Sequence, residues 1–293
     1  MKRRDFLATT GAAAFAASIF PLRAANAADA RPKKILYYSR SAGFEHSAVK
    51  RPAEGELSHS EKKLVEICKP LGIEVVCTKD GTVFDGDLSQ YGAFAFYATG
   101  HLVGLNSKDG GKPISEAGLE KMFQAIKDGM GVIGFHAATD CSAGPGDPAK
   151  DPYVQMIGGK FCGHGAQQEA TLKVVDPKFP GMDKVGDSLT RHEEWYAMNC
   201  FPDDLHVILV QETEGMKGDQ YARPPFPSTW AHSYGKGRVF YTSLGHREDN
   251  IWDDAVCQAV MLGGVQWALG LADADIPKNI DKVTPEANKT KNG

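Results

Sequence analysis

Short apolar runs alternate along this chain with longer stretches of helical periodicity. Residues 131–135 (Gly-Val-Ile-Gly-Phe) form one such run, too short for a helix of its own, and predict a buried strand. Residues 34–39, 73–78 and 93–97 have the same character. Between them, Ser58 with Glu61 three positions on is a capping-box pattern. It opens a helix with Leu64, Val65, Ile67 and Cys68 on one side, ending near Pro70-Leu71-Gly72. Ser115 opens a second helix, with Leu119, Met122, Phe123 and Ile126 at helical spacing and Gly129 as its stop. Strands alternating with helices predict an α/β fold with a mostly parallel sheet covered on both faces.

The second half continues with different units. A Gly/Pro loop over 142–152 precedes a short helix at 153–157. Residues 169–175 and 205–211 predict strands, and 229–234 with 238–243 a hairpin across Gly235-Lys236-Gly237. Residues 253–271 predict a long helix, where Gly263-Gly264 points to close packing on the sheet at about 1 kcal/mol each in propensity. Residues 28–272 thus predict one domain without internal repeats, and the polar, lysine-rich 273–293 a loose tail.

The first 27 residues change the picture of where this domain works. Lys2-Arg3-Arg4-Asp5-Phe6-Leu7 is a twin-arginine pattern, followed by an apolar run over 8–22 and the cleavage-like Ala25-Asn26-Ala27. Export by the twin-arginine route to the periplasm is expected. Pro21 and Arg23 interrupt the apolar run, which argues against a stable membrane anchor. Residues 1–27 carry +3 of a chain whose total is −4, leaving −7 on the remainder. That balance speaks against nucleic acid and anionic membrane surfaces as partners. Six cysteines without a C-x-x-C pair are expected to be free thiols, with Cys141 and Cys162 beside candidate site residues.

Five histidines, His46, His101, His136, His164 and His246, fall where a strand or a glycine turn ends. In open α/β sheets, ligands bind beyond the carboxyl ends of the strands. Histidines grouped with carboxylates are the material of metal sites and of acid–base catalysis. His192-Glu193-Glu194-Trp195-Tyr196 supplies adjacent carboxylates beside aromatics. Two site designs follow. In one, His136, His164 and His246 hold a divalent metal, zinc or similar, with Glu194 as base or fourth ligand. In the other, His136 is the base, held by Asp140 through its second ring nitrogen. The chain has no G-x-S-x-G elbow, P-loop, H-E-x-x-H or G-x-G-x-x-G after the first strand, so no nucleotide cofactor is expected. Ser60-Glu61-Lys62-Lys63 matches S-x-x-K but lies inside the capped helix without partner motifs.

Several stretches resemble, in order, the ThuA-like (trehalose utilisation) family. They are Gly43-Phe44-Glu45-His46, Gly134-Phe135-His136-Ala137-Ala138-Thr139-Asp140, Gly158-Gly159-Lys160-Phe161 with Gly163-His164, Glu193-Glu194-Trp195-Tyr196, and Trp230 through Tyr234–Tyr241 to Gly245-His246. The resemblance implies a class I glutamine amidotransferase-like fold, a flavodoxin-like three-layer sandwich. It also implies a role in bacterial use of disaccharides and their 3-keto derivatives. True amidotransferases place a nucleophilic cysteine after the central strand. Here His136 stands there and Cys141 comes five residues later, which argues against thiolate chemistry. The chain departs from the family pattern at Gly165 and His232.

The expected function is hydrolysis or elimination at a glycosidic bond, with His136, Glu194 and Asp140 catalytic. His46, His101, Trp195, Tyr196 and Trp230 are expected to bind the sugar. The alternatives are a non-catalytic sugar-binding protein of this fold and a metal-dependent hydrolase of unrelated substrate. A homo-oligomer is compatible with either.

Overall fold

The computed structural model describes residues 31–104 and 106–290; the twin-arginine segment lies outside the described residues. In chain order the strands are β1 (Lys34–Tyr38), β2 (Glu74–Thr78), β3 (Ala93–Phe96), β4 (Gly100–His101), β5 (Gly131–Phe135), β6 (Cys141–Ser142), β7 (Lys160–His164), β8 (Gln168–Val174), β9 (Ser188–Glu193), β10 (Tyr196–Asn199), β11 (His206–Gln211), β12 (Phe226–Tyr234) and β13 (Gly237–Thr242). The helices are α1 (His59–Cys68), α2 (Glu116–Lys127), α3 (Pro152–Ile157), α4 (Ala255–Ala268) and α5 (Ile280–Val283).

Nine strands make one sheet, in the order β2-β1-β3-β5-β13-β12-β11-β8-β9. The half from β2 to β13 is parallel, and from β13 onward the pairings are antiparallel. The parallel strands read as unbroken apolar runs because both faces are covered. Consecutive residues of β13 show the two coverings. Phe240 meets Gly264 of α4, while Tyr241 lies with Gly134 and Trp230 under Ile157 of α3. This is the three-layer α/β sandwich. Ser58 and Glu61 form both halves of the capping box on α1. Glu61 is buried there and also takes a bidentate contact from Arg51.

Gly263 and Gly264 do pack closely. A Cβ on Gly264 would run into the Phe240 ring, and one on Gly263 into the Pro180 carbonyl. Gly264→Ala is expected to destabilise the protein by about 3 kcal/mol, roughly 6–12 °C in a thermal melt. An unchanged melt would mean that α4 can lift from β13 at little cost.

Two expectations need correction. The stretch 273–290 is docked rather than loose. Asn279 pairs with both backbone groups of Val207 at 2.7 and 3.0 Å, Asn288 pairs likewise with Phe201 at 2.9 Å each, and Ile280 is buried. Polar side chains hold this stretch, so hydropathy does not reveal it. Strands β7, β9 and β10 also went unpredicted. They are short and carry residues such as Lys160, His164, Arg191 and His192, and their partners hold them.

Candidate functional site

Strand β5 ends at Phe135 and the chain turns at once into a short 3-10 turn, His136–Asp140. His136 takes φ +38°, a left-handed conformation that costs a side chain with a Cβ about 1–3 kcal/mol. Its surroundings enforce it. The Tyr241 hydroxyl donates to the His136 carbonyl at 2.7 Å, and the ring Nδ1 lies 2.9 Å from the Ser243 carbonyl. A carbonyl only accepts, so Nδ1 carries the hydrogen and Nε2 keeps its lone pair. That Nε2 is buried without a hydrogen-bond partner, 3.5 Å from Glu194 Oε2.

The adjacent carboxylates separate at the end of β9, because successive side chains point to opposite sides. Glu193 turns inward, fully buried, and accepts the backbone N–H groups of His246 at 2.7 Å and Arg247 at 3.2 Å. Burial pushes its carboxyl up to about 8, against the pull of those two donors. Glu194 turns to the histidines. Its Oε2 is 3.0 Å from His246 Nδ1 and 3.9 Å from His46 Nε2, and its Oε1 is 3.2 Å from His164 Nδ1. Burial alone would raise the Glu194 carboxyl, but contact with His136 and His246 overrides it and holds the group below the usual carboxylate range.

One ligand atom from each of His46, His136, His246 and Glu194 lies within 4.8 Å of the others, an arrangement that could hold a metal ion. The orphaned atoms fit that use. His136 Nε2 and His246 Nδ1 are buried without hydrogen-bond partners and face Glu194 at 3.5 and 3.0 Å, while His46 turns Nε2 toward Glu194 and the Tyr196 hydroxyl and leaves Nδ1 unpaired. Burial, with neighbouring imidazoles adding to it, pushes His46 down to about 2, and burial lowers His136 too. Burial thus favours the neutral form of both rings, in which imidazole binds borderline metals, with contact to Glu194 pulling His136 the other way. The His136 Nδ1–H to carbonyl contact is the outer support that metal-bound histidines commonly have. Tetrahedral zinc with bonds of about 2.0–2.1 Å draws its donors to roughly 3–4 Å of one another.

The other expected site residues land in different places. His164 is not in the compact four; His46 takes that position. The pairing of β7 with β10 sets His164 opposite Tyr196, at the rim, with its side chain 45% exposed and Nδ1 2.9 Å from the Gly165 carbonyl. Asp140 does not hold His136, because Ser243 does. Its carboxyl is pushed up by burial, opposed by Lys160 and His164. His101 bonds Ser142 at 2.6 Å, outside the cluster. Trp195 and Trp230 are fully buried, with their ring N–H groups donating to the Gln168 and Ile157 carbonyls. Neither indole can face a sugar. Tyr196 forms a wall of the site, its ring centroid 4.0 Å from that of His136 and its hydroxyl 3.2 Å from His46 Nε2. Cys141 is buried and its thiol pushed up, unsuited to serve as a nucleophile.

Sequence reasoning missed Phe44, which lies beside His46 with ring centroids 5.0 Å apart. Its place in Gly43-Phe44-Glu45-His46 was the available signal. A cavity of about 620 Å³ lies on the Glu45 side of this loop, lined by Lys50, Arg51, Lys79 and Asp109 among others, and contains none of the four clustered residues.

A family model described as trehalose utilisation, ThuA, matches residues 34–268. No curated protein matches this chain. Among solved structures, a ThuA-like protein from Parabacteroides merdae superposes with a TM-score of 0.58 at 18% identity, covering 85% of this chain and 94% of that one. A ThuA-like protein from Bacteroides uniformis gives 0.58 at 20% identity, covering 85% and 95%. A cytoplasmic protein from Salmonella typhimurium gives 0.52 at 11% identity, covering 80% and 98%. At these identities the structures share the fold.

Proposed function

The chain belongs to the ThuA, trehalose utilisation, family, and from that premise we propose that it is a metal-dependent enzyme cleaving a glycosidic bond in a disaccharide or its 3-keto derivative. The observation that carries this reading is the convergence of three imidazoles on one carboxylate, two of them, His136 and His246, through buried nitrogens without a hydrogen-bond partner. His46, His136, His246 and Glu194 would hold the ion, and a bound divalent cation would polarise a sugar ketone or hydroxyl. His164, at the rim, spends Nδ1 on the Gly165 carbonyl and Glu194 and leaves Nε2 for a substrate proton. A 3-keto group acidifies the neighbouring C–H, so a positioned base can begin an elimination without a strong nucleophile. Tyr196 and Tyr97, the latter stacked on the buried ring of Trp252, lie against the His136 ring.

The test is to purify the protein, assay its metal content, and screen trehalose, related disaccharides and their 3-keto forms. Turnover that disappears on exhaustive chelation and returns with added zinc or manganese is expected. Full turnover in demonstrably metal-free protein would overturn the metal, and no turnover in metal-loaded protein would overturn the enzyme. The twin-arginine pair supports export to the periplasm. Changing Arg3 and Arg4 to lysine should trap the precursor in the cytoplasm, and normal export of that variant would reject the route.

A further inference from the structure

Among the described residues, Phe44 is the one large hydrophobic side chain that is exposed, at 65%. It sits two residues before His46, on the loop that carries this histidine to the cluster. An aromatic ring held out in water forgoes the gain of burial, so the loop's rigidity matters to its reading.

The loop is tied on both sides of the ring. The Ala42 and Gly43 amides donate to the Thr99 carbonyl at 3.0 and 3.3 Å. The Thr99 hydroxyl accepts from the Gly43 amide at 3.1 Å and donates to the Phe44 carbonyl at 2.8 Å. Beyond Phe44, the His46 carbonyl accepts the Val49 and Lys50 amides. The backbones also touch, since a Cβ on Gly100 would come within 2.9 Å of the Gly43 nitrogen. The Phe44 ring meets His46 at 83°, edge against face. A fixed backbone therefore presents this ring at the edge of the cluster.

The other rings near the cluster offer no exposed face. Tyr97, Tyr196, Trp195 and Trp252 are buried, and the partly buried Phe161 packs on Tyr196 at 4.1 Å. Pyranose rings have C–H faces that pack flat on aromatic rings, and rigid aromatics supply contact area at low entropic cost.

We propose that Phe44 is the platform for the second ring of a disaccharide, the ring beyond the one held at the histidine cluster. The inference rests on the sugar reading above. It adds that the site selects two-ring substrates through an apolar contact outside the reacting group.

The experiment measures binding of trehalose and of glucose to metal-loaded wild type, Phe44→Ala and Phe44→Trp by calorimetry, with metal content measured on each. The expected result is trehalose binding at least tenfold weaker in Phe44→Ala, with glucose binding, metal content and melting temperature unchanged. Phe44→Trp should restore trehalose binding. Equal trehalose affinity in wild type and Phe44→Ala overturns the platform and leaves the sugar reading standing. Equal losses for trehalose and glucose overturn the two-ring assignment. Loss of metal in Phe44→Ala shows that the residue acts through His46 and overturns it as well. A metal-loaded wild type that binds neither sugar overturns the sugar reading and the platform together.

Discussion

Glu194→Ala is expected to lose metal and turnover together, with activity down at least about 1,000-fold, or roughly 4 kcal/mol in barrier. Glu194 is the carboxylate that all of His46, His136, His164 and His246 approach, at 3.0 to 3.9 Å. It would supply the negative charge for a divalent cation held among the imidazoles. Ligand binding to the folded state alone adds about 4.1 kcal/mol of stability at a free metal concentration 1,000 times the dissociation constant. The wild type should therefore melt higher on adding metal, and Glu194→Ala should not. Glu194→Gln keeps the size and removes the charge, so it should fail in the same way. The checks are metal stoichiometry by mass spectrometry, melting with and without metal, and turnover. A Glu194→Ala protein with wild-type metal content and more than a tenth of the turnover would remove Glu194 from the site.

Much of the fold was legible because its signals are local. The parallel strands are apolar runs, and the Ser58–Glu61 box opens α1 where the pattern placed it. The site was legible at the level of position. His46, His136 and His246 were expected at strand ends or glycine turns, and the fold brings them together around Glu194. Roles were harder to read, because each depends on a partner distant in sequence. His136 is oriented by the Ser243 carbonyl, 107 residues on, rather than by nearby Asp140. A backbone carbonyl has no sequence signature. Trp195 and Trp230 look like sugar platforms in a one-dimensional reading, yet each indole N–H has a buried carbonyl to satisfy. His46 displaced His164 from the metal-competent group because the β7–β10 pairing, which no hydropathy pattern announces, leaves His164 at the rim.

The adjacent carboxylate should behave differently from Glu194. Glu193→Ala is expected to lower stability by about 2–4 kcal/mol whether or not metal is present, since it leaves the His246 and Arg247 amides without their buried acceptor. In a domain of this size that is a melting shift of roughly 5–15 °C. Glu194→Ala should fall less in its metal-free form, because it removes contacts to imidazole nitrogens near the surface of the site, those of His246 and His164 foremost, rather than the buried acceptor of two backbone amides. Activity should fall in Glu193→Ala too, by about 100-fold, because a shift near 1 Å in a catalytic group costs about that much. The route is positional. Glu193 ties the end of β9 to the turn after β13, at Gly245 with φ +141°, and that turn aims His246 at the cluster. Glu193→Gln keeps one carbonyl acceptor, so it should recover part of both losses. Metal affinity separates this role from ligation: Glu193→Ala should still load at raised metal concentration, where Glu194→Ala should not. If Glu193→Ala instead melts like wild type and loses only activity, then Glu193 touches the reaction itself and the assignment of the two carboxylates must be exchanged.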